Sequence, residues 1–268
     1  MNETVLTPKE WKREERLHHD QMADRYDLWA QDANEKKKRI GALLPKLERF
    51  YEAASVITLL DAGCGPGNEA IEFCRASRVV VAMDISFNML SICRKKARLA
   101  GVEERIWLVV GDVESIPFRE GVFDFVNVTG ILHHTPVVDQ ALNELVRCLS
   151  PGGQIKVEEP NTVRCVIVDL LVKVVEKVIK VVFGRRPEPL EKDEVGTPRE
   201  RAISGRSLSR FLKKKNISIR IYYHTHYPHS FQIMGERWGG AVSLVANFVN
   251  NIFKKGELFF ILGIKTKD

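Results

Sequence analysis

The segment LLDAGCGPG, at residues 59–67, restricts the fold of this chain more than any other feature. An apolar run typical of a buried strand leads there into a turn that has glycine at every second position. Glycine adopts positive φ angles without steric cost and lets a ligand approach the backbone closely. Since a helix that begins behind such a turn offers N–H groups to a ligand, the segment predicts a strand–turn–helix unit with a binding role. A turn that holds no ligand is the plainer alternative.

Short apolar runs and helical segments alternate along the chain after residue 55. Strands are predicted at 56–60, 78–83, 106–110, 123–129, 154–158, 217–223 and 258–264. Helices are predicted between and after them at 68–76, 88–100, 137–149, 207–215 and 240–253. This alternation predicts a doubly wound α/β fold, with a mostly parallel, Rossmann-like sheet and helices on both of its faces. We expect the final strand to be antiparallel.

The predicted elements divide a single domain into four parts. Residues 1–55 form an N-terminal helical cap that begins at TPKE, which has the form of a capping box. Residues 56–160 form the ligand-binding core. Residues 161–201 form a helical insertion or lid, in which an amphipathic helix precedes a proline-rich loop. Residues 202–268 complete the same sheet.

Composition excludes several classes of protein. The chain has 268 residues, of which 44% are hydrophobic and 28% are charged, which is an ordinary globular balance. Five cysteines with no CxxC pair argue against a disulfide framework or a cysteine zinc site. The sequence contains neither a long uncharged apolar run nor a secretory signal, so we expect no transmembrane segment and a cytoplasmic location. A net charge of +6 permits an anionic partner without requiring one.

Acidic residues follow the first three predicted strands of the core. Asp84 ends the second strand, 21 residues after Gly63, where one carboxylate could accept both hydroxyls of a ribose. Asp112 follows the third strand and could accept from an adenine amino group. Each of them alone is an ordinary turn residue or helix cap, and a strand-end aspartate should matter little for folding. Together with Asp61 they predict a nucleoside site at the carboxyl edge of the sheet.

The spacing of the glycines distinguishes two nucleoside cofactors. A dinucleotide favours GxGxxG, whereas this turn reads GxGxG. Asp61 stands directly before the turn, where it favours a positive amino group over a pyrophosphate. S-adenosylmethionine carries such a group and has no phosphate. We therefore expect S-adenosyl-L-methionine as the cofactor.

Five segments, in this order, resemble class I S-adenosylmethionine-dependent methyltransferases: LLDAGCGPG, VVAMDIS, GDVESIPF, FDFVNVTGILHH and LNELVRCLSPGGQIKVEEP. The small-molecule, ubiquinone/menaquinone C-methyltransferase-like subgroup (methyltransferase type 11) is the most similar, and MADRYD resembles the A-x-x-Y-D element that precedes its core. The resemblance covers roughly residues 20–160. After the fourth strand this chain has LHH where the quinone enzymes have an Arg-Asn-Val-like run, which argues against quinone methylation.

The resemblance implies roles at the methionine end of the cofactor. Gly63, Cys64 and Gly65 would line the methionine part through their backbone. Asp61 would hold its amino group, directly or through water. Tyr26, from the N-terminal helix, would close over its carboxylate.

At the other end of the cofactor, the resemblance implies that Asp84 binds the ribose and that Ile85 lies against the adenine. Asp112 and Val113 would bind the edge and the face of the adenine. Thr129 would lie beside the sulfonium.

Histidines are the remaining candidates for chemistry. His134 follows the fourth strand, where an imidazole could act as a general base, although packing within the loop is the plainer alternative. His224, His226 and His229 lie in YYHTHYPH, and a metal site there is conceivable. A polar and aromatic wall of the substrate pocket is favoured over a metal site, and a strand-end cluster without a specific role is favoured further. We therefore predict no metal.

These observations predict a methyltransferase for a small-molecule acceptor that could be apolar. The first alternative is a tRNA base methyltransferase, because some of these enzymes also have paired histidines after the fourth strand. RNA is not favoured as a partner, and DNA is not expected. The second alternative is a cofactor-binding regulator without turnover. The helix predicted at 163–183 could touch a membrane surface or a lipid-like acceptor, although packing on the core is the plainer alternative.

Overall fold

The computed structural model describes residues 6–32, 58–75, 79–160, 201, 203–225 and 258–266. Its helices are α1 (Pro8–Asp32), α2 (Asn68–Arg75), α3 (Phe87–Leu99), α4 (Val138–Cys148) and α5 (Gly205–Lys214). Its strands are β1 (Thr58–Ala62), β2 (Val79–Asp84), β3 (Ile106–Val110), β4 (Phe123–Thr129), β5 (Leu149–Pro160), β6 (Ile217–Thr225) and β7 (Leu258–Lys265). Two single turns of 3₁₀ helix, Glu103–Arg105 and Leu132–His134, precede β3 and follow β4.

The seven strands form one sheet in the order β3-β2-β1-β4-β5-β7-β6. β1 pairs in parallel with both β2 and β4, so the chain reverses its direction of winding between these two neighbours. β7 pairs antiparallel with both β5 and β6. The predicted doubly wound, mostly parallel sheet with an antiparallel final strand is therefore confirmed.

Alternate residues of the central strands pack on opposite faces of this sheet. Leu59, Val80 and Phe125 join the cluster that includes buried residues of α2 and α3. Their neighbours along each strand join the second cluster, with buried residues of α4 and α5. Because both faces are covered by helices, the strands are apolar throughout, as their sequences indicated.

The described boundaries lie within two residues of the predicted ones except at β5. This strand begins at Leu149, directly after α4, because Leu149 pairs with Phe123 before a register shift in the ladder. Gly101 follows α3 with a φ of 69°, as a helix-ending glycine does. Outside the described residues lie residues 33–55 of the predicted cap, the helices predicted at 163–183 and 240–253, and the predicted proline-rich loop up to residue 200.

Polar contacts place helix α1 against the core. The predicted capping box is present: the Thr7 N–H donates to Glu10 Oε2 at 2.8 Å, and the Glu10 N–H donates to Thr7 Oγ1 at 3.3 Å. Asp20 Oδ1 accepts from Ser86 Oγ at 2.5 Å, and Ser86 in turn caps α3. In the described part of the chain, no helix combines the length and the apolar character that crossing a membrane requires.

Candidate functional site

The glycine turn after β1 is held against the end of β2. The N–H groups of Gly63 and Cys64 both donate to the carbonyl of Met83, at 2.8 and 3.0 Å. Gly63 has a φ of 72°, and a Cβ at this position would lie 2.3 Å from Cδ1 of Ile131. Position 63 therefore requires glycine both for its backbone angle and for its contact with the loop after β4.

Asp84, at the end of β2, is buried beside this turn. Its Oδ2 accepts from the Gly65 N–H and its Oδ1 accepts from the Ser86 N–H, each at 2.8 Å. Burial raises the pKa of Asp84, although these two bonds partly oppose the rise. Each carboxylate oxygen can accept a further hydrogen bond, which matches the two hydroxyls of a ribose. The two backbone bonds give Asp84 a structural role that its place at a strand end did not indicate.

A pocket opens where the carboxyl ends of β1 to β4 meet. Seven of the ten predicted cofactor residues line it: Gly63, Gly65, Asp84, Ile85, Asp112, Val113 and Thr129. The predicted catalytic residue, His134, lines it as well. The tertiary structure thus brings together residues from four loops that are far apart in the sequence.

The other three predicted cofactor residues do not line the pocket with a described side chain. Asp61 is buried behind the glycine turn, where its Oδ1 accepts from Asn127 Nδ2 at 2.7 Å. The side chain of Cys64 is also buried, and a hydrogen bond with Cys93 together with burial raises the pKa of its thiol. Tyr26 belongs to α1, but its side chain lies outside the described part of the structure.

A buried polar cluster supports the pocket from below. Glu69 Oε2 accepts from Asn127 at 2.7 Å, from Thr129 at 2.9 Å and from Lys156 at 3.0 Å. Burial alone would lower the pKa of Lys156, but the carboxylates of Glu69 and Glu158 outweigh it and raise the pKa. Sequence reasoning missed this cluster. Its signal was a polar residue within each of two apolar strands, Asn127 in FDFVNVT and Lys156 in QIKVEEP.

Helix α1 contributes more to the pocket than the sequence indicated. Lys12, Glu15 and His19 all line it. Lys12 Nζ lies 2.6 Å from Asp112 Oδ2 and 2.5 Å from Glu114 Oε2. The three lining residues of α1 stand three and four positions apart, so they share one face of the helix. That spacing was the available signal, but a polar helix face more often faces solvent.

The paired histidines after β4 have different environments. His133 is buried, and its Nδ1 lies 2.7 Å from Oε2 of Glu159. His134 faces the pocket, and its carbonyl accepts from Trp11 Nε1 at 3.0 Å. Burial first, and then the neighbouring histidines, lower the pKa of His134 to about 2. This imidazole is therefore neutral at physiological pH.

Carboxylates dominate the charge around the pocket. Among the described residues, the pocket is lined by one lysine, Lys12, and by four carboxylates, those of Glu15, Asp84, Asp112 and Glu114. Such a surface attracts a cationic ligand and repels a pyrophosphate. The charge of the site therefore agrees with a sulfonium cofactor that carries an amino group.

Comparison with known proteins shows similarity to methyltransferases. Residues 60–157 match the model of a family described as a methyltransferase domain. Methyltransferase GfsG of Streptomyces halstedii is 31% identical over 133 residues, which are 48% of this chain and 48% of that protein. A demethylmenaquinone methyltransferase of Lactiplantibacillus plantarum is 33% identical over 105 residues, 38% of this chain and 44% of that protein. The chain thus spans about half the length of the curated relatives that it matches.

Solved structures share the fold at low sequence identity. One is the 1,6-didemethyltoxoflavin-N1-methyltransferase of Burkholderia thailandensis with bound 1,6-didemethyltoxoflavin and S-adenosylhomocysteine, with a TM-score of 0.60 and 17% identity over 99% of this chain and 93% of that one. Another is the geranyl diphosphate C-methyltransferase of Streptomyces coelicolor, with a TM-score of 0.52 and 15% identity over 78% of this chain and 70% of that one. Residues 60–157 of this chain are therefore similar to a methyltransferase domain, and the chain shares its fold with these two methyltransferases.

Proposed function

We propose that this chain is an S-adenosylmethionine-dependent methyltransferase that acts on a small-molecule acceptor. One observation carries the proposal. The carboxyl ends of β1, β2 and β3 and the loops after them bring Gly63, Asp84 and Asp112 into one pocket, within the segment that matches a methyltransferase domain. Open α/β sheets bind their ligands at this edge, where the strand order reverses.

The nucleoside end of the cofactor would lie over β2 and β3. Asp84 would accept the ribose hydroxyls with the lone pairs that the Gly65 and Ser86 N–H groups leave available. Ile85 and Val113 would contact the adenine faces. Asp112, which Lys12 holds at 2.6 Å, would accept from the adenine amino group.

The methionine end would lie over the glycine turn. Gly63 and Gly65 line the pocket and allow the cofactor to approach the backbone, and Cys64 between them would contribute only backbone groups. Asp61 would act on the amino group from behind the turn, in the orientation that Asn127 gives it. The closure of Tyr26 over the methionine carboxylate stays a prediction.

Methyl transfer of this kind is an in-line displacement in which the bound cofactor supplies both the methyl group and the sulfur leaving group. The protein mainly aligns the two reactants and excludes water. Thr129, held by Glu69 and Lys156, would provide a fixed wall beside the sulfonium.

The role of His134 as a general base also stays a prediction. Its position in the pocket supports the role, because a base must lie near the acceptor. Its lowered pKa opposes it, because an imidazole with a pKa of about 2 binds a proton weakly near neutral pH. We therefore propose positioning of the acceptor as the main contribution of this pocket.

No specific observation favours either of the two alternatives, a tRNA base methyltransferase or a regulator without turnover. A tRNA base methyltransferase needs a basic surface for the phosphate backbone, whereas carboxylates dominate the described pocket. A regulator without turnover would bind the cofactor in the same way. Membrane contact by residues 163–183 stays a prediction, because that segment lies outside the described residues, and the cytoplasmic location stays a prediction too.

Two measurements test the proposal. Calorimetry should show binding of S-adenosylhomocysteine and no binding of NAD. Tighter binding of NAD would contradict the proposed cofactor. Incubation with labelled S-adenosylmethionine and a fractionated cell extract should then place the label in a small-molecule fraction. Label in RNA would support the tRNA alternative. Cofactor binding without label in any fraction would support the regulator.

A further inference from the structure

One carboxylate oxygen beside the pocket is buried without a hydrogen bond. Glu15 is only 5% exposed, and its Oε2 has no hydrogen-bond partner among the residues that the structure describes. Two imidazole nitrogens face this oxygen, His19 Nε2 at 3.5 Å and His134 Nδ1 at 3.7 Å. Both separations exceed those of a normal hydrogen bond. A buried acceptor in this state is costly unless something else occupies the space between the three groups.

The three groups have the arrangement of metal ligands. Glu15 and His19 are four residues apart on α1 and therefore project from the same face of the helix. His134 approaches them from the loop after β4, and all three ligand atoms lie within 4.8 Å of one another. Ligands about 2.0–2.2 Å from a tetrahedral ion are roughly 3.3–3.6 Å apart. The two separations from the Glu15 oxygen are close to that range.

We propose that Glu15 Oε2, His19 Nε2 and His134 Nδ1 bind a divalent transition-metal ion of the Zn²⁺ type. Two imidazoles and one carboxylate suit Zn²⁺ and its neighbours among the divalent ions, whereas Mg²⁺ and Ca²⁺ prefer oxygen ligands throughout. Three protein ligands leave a fourth position open, and it faces the pocket that all three residues line.

The charge of the pocket supports this assignment. The cation would balance part of the negative charge, because four carboxylates and one lysine line the pocket among the described residues. An ion pair between Glu15 and a protonated His19 is the competing explanation, but it predicts a shorter contact than 3.5 Å.

The metal site has a consequence that rests on the proposed function. The open fourth position faces the same pocket as the cofactor, so it would take an oxygen of the methyl acceptor, such as a hydroxyl or a carboxylate. As a ligand, His134 would then orient the acceptor through the metal and could not serve as its base. The metal-binding test below does not depend on this consequence.

The test uses the full chain, freed of metal by a chelator and without cofactor. Calorimetric titration with Zn²⁺ should show one ion bound per chain, and titration with Co²⁺ should produce visible absorption of a low-symmetry site. Loss of a residue that only hydrogen-bonds to a metal ligand costs about 10–100-fold in metal affinity. Glu15→Gln and His19→Ala remove ligands themselves, so each should weaken Zn²⁺ binding by about a hundredfold or more. Glu14→Gln, an exposed change on the same helix, is the matched control and should bind as the unaltered chain does.

Circular dichroism shows whether each variant is folded. In the unaltered chain and in Glu14→Gln, Zn²⁺ should also raise the Tm, and in folded Glu15→Gln or His19→Ala it should not. The proposal is overturned if the unaltered chain binds no Zn²⁺, or if both ligand variants bind it unchanged. A chain that binds S-adenosylhomocysteine but no Zn²⁺ would refute the metal site alone. A chain that binds Zn²⁺ but no S-adenosylhomocysteine would refute the proposed function alone.

Discussion

Single residues in this site combine a proposed role in cofactor binding with structural support. Asp84 illustrates this, because its carboxylate joins the glycine turn to the start of α3 through the N–H groups of Gly65 and Ser86. Gly63 similarly holds the turn in a left-handed conformation and leaves room for Ile131. Changes at such positions therefore affect folding and ligand binding together, and separating the two effects requires matched controls.

For Asp84, we predict that replacement by asparagine weakens the binding of S-adenosylhomocysteine by about 2–3 kcal/mol, the scale of lost charge-assisted hydrogen bonds. Calorimetry measures the affinity, and urea unfolding measures the accompanying loss of stability. Asp139→Asn, an exposed change in the first turn of α4, is the control and should leave the affinity unaltered. An unchanged affinity in Asp84→Asn would show that another residue holds the ribose.

For the glycine turn, we predict that Gly63→Ala destabilises the fold more than Gly101→Ala does. Both glycines have a φ near 70°, so both changes cost about 1–2 kcal/mol of backbone strain. Only at position 63 would the new Cβ clash, at 2.3 Å from Ile131, whereas nothing lies within 4 Å of a Cβ at position 101. Urea unfolding compares the two variants, and cofactor affinity should fall in Gly63→Ala alone. Equal losses of unfolding free energy in the two variants would show that the loop around Ile131 moves to accommodate the new Cβ.

At the scale of elements, α1 is part of the site as well as a cover over it. Its described apolar contact with the core is small, a cluster of Ala23, Met89 and Ile92. Polar contacts do most of the positioning, including the bonds of Lys12 to Asp112 and Glu114. The geometry of the pocket therefore depends on charged groups of α1.

We predict that Lys12→Met lowers the free energy of unfolding by about 1–3 kcal/mol, because it removes the cation from the buried carboxylate of Glu114. Lys9→Met, at an exposed position of the same helix, should have little effect. Adding Glu114→Gln to Lys12→Met should recover part of the loss, since the unpaired charge is then absent. Urea unfolding of the four proteins gives the values. Similar losses in Lys9→Met and Lys12→Met would contradict a specific role for the pair.

At the scale of the whole molecule, the pocket lies where the direction of winding reverses, between β1 and β4. The described residues on either side of segment 161–200 lie near the carboxyl edge of the sheet. The start of this segment follows Pro160 at the carboxyl end of β5. At its end, the Arg201 N–H donates to the carbonyl of His133 at 2.9 Å, and its Nη1 donates to the carbonyl of Pro136 at 2.6 Å.

We therefore predict that replacing residues 163–199 by a short linker spares cofactor binding and abolishes methyl transfer. Affinity for S-adenosylhomocysteine should stay within tenfold, or about 1.4 kcal/mol, because the residues proposed to bind the cofactor lie in other segments. Turnover should be lost, since the described residues on either side of the segment lie at the carboxyl edge of the sheet, where the pocket opens. Calorimetry and a turnover assay on one folded protein provide the test, with Arg201 retained in both chains. Methyl transfer by the shortened protein would show that the acceptor binds without residues 163–199.

The sequence by itself determined the fold and the central part of the site. β3 and β4 begin and end at the predicted residues, and the order of strands and helices led to the observed sheet. Apolar periodicity and glycine placement are local properties, and the edge at which parallel strands end follows from their direction. For this reason Gly63, Asp84 and Asp112 could be assigned to one pocket without coordinates.

Only the tertiary structure decided which residues of other segments meet at that pocket. It brought Glu15 and His19 of α1 beside His134, and it joined Glu69 to Lys156 below Thr129. It also distinguished the buried His133 from the pocket-lining His134, which are indistinguishable as neighbours in the sequence. Such contacts join residues far apart in the chain, so they depend on how a helix lies across the sheet. No local pattern records that packing, because a polar helix face has the same sequence whether it meets solvent or a carboxylate site.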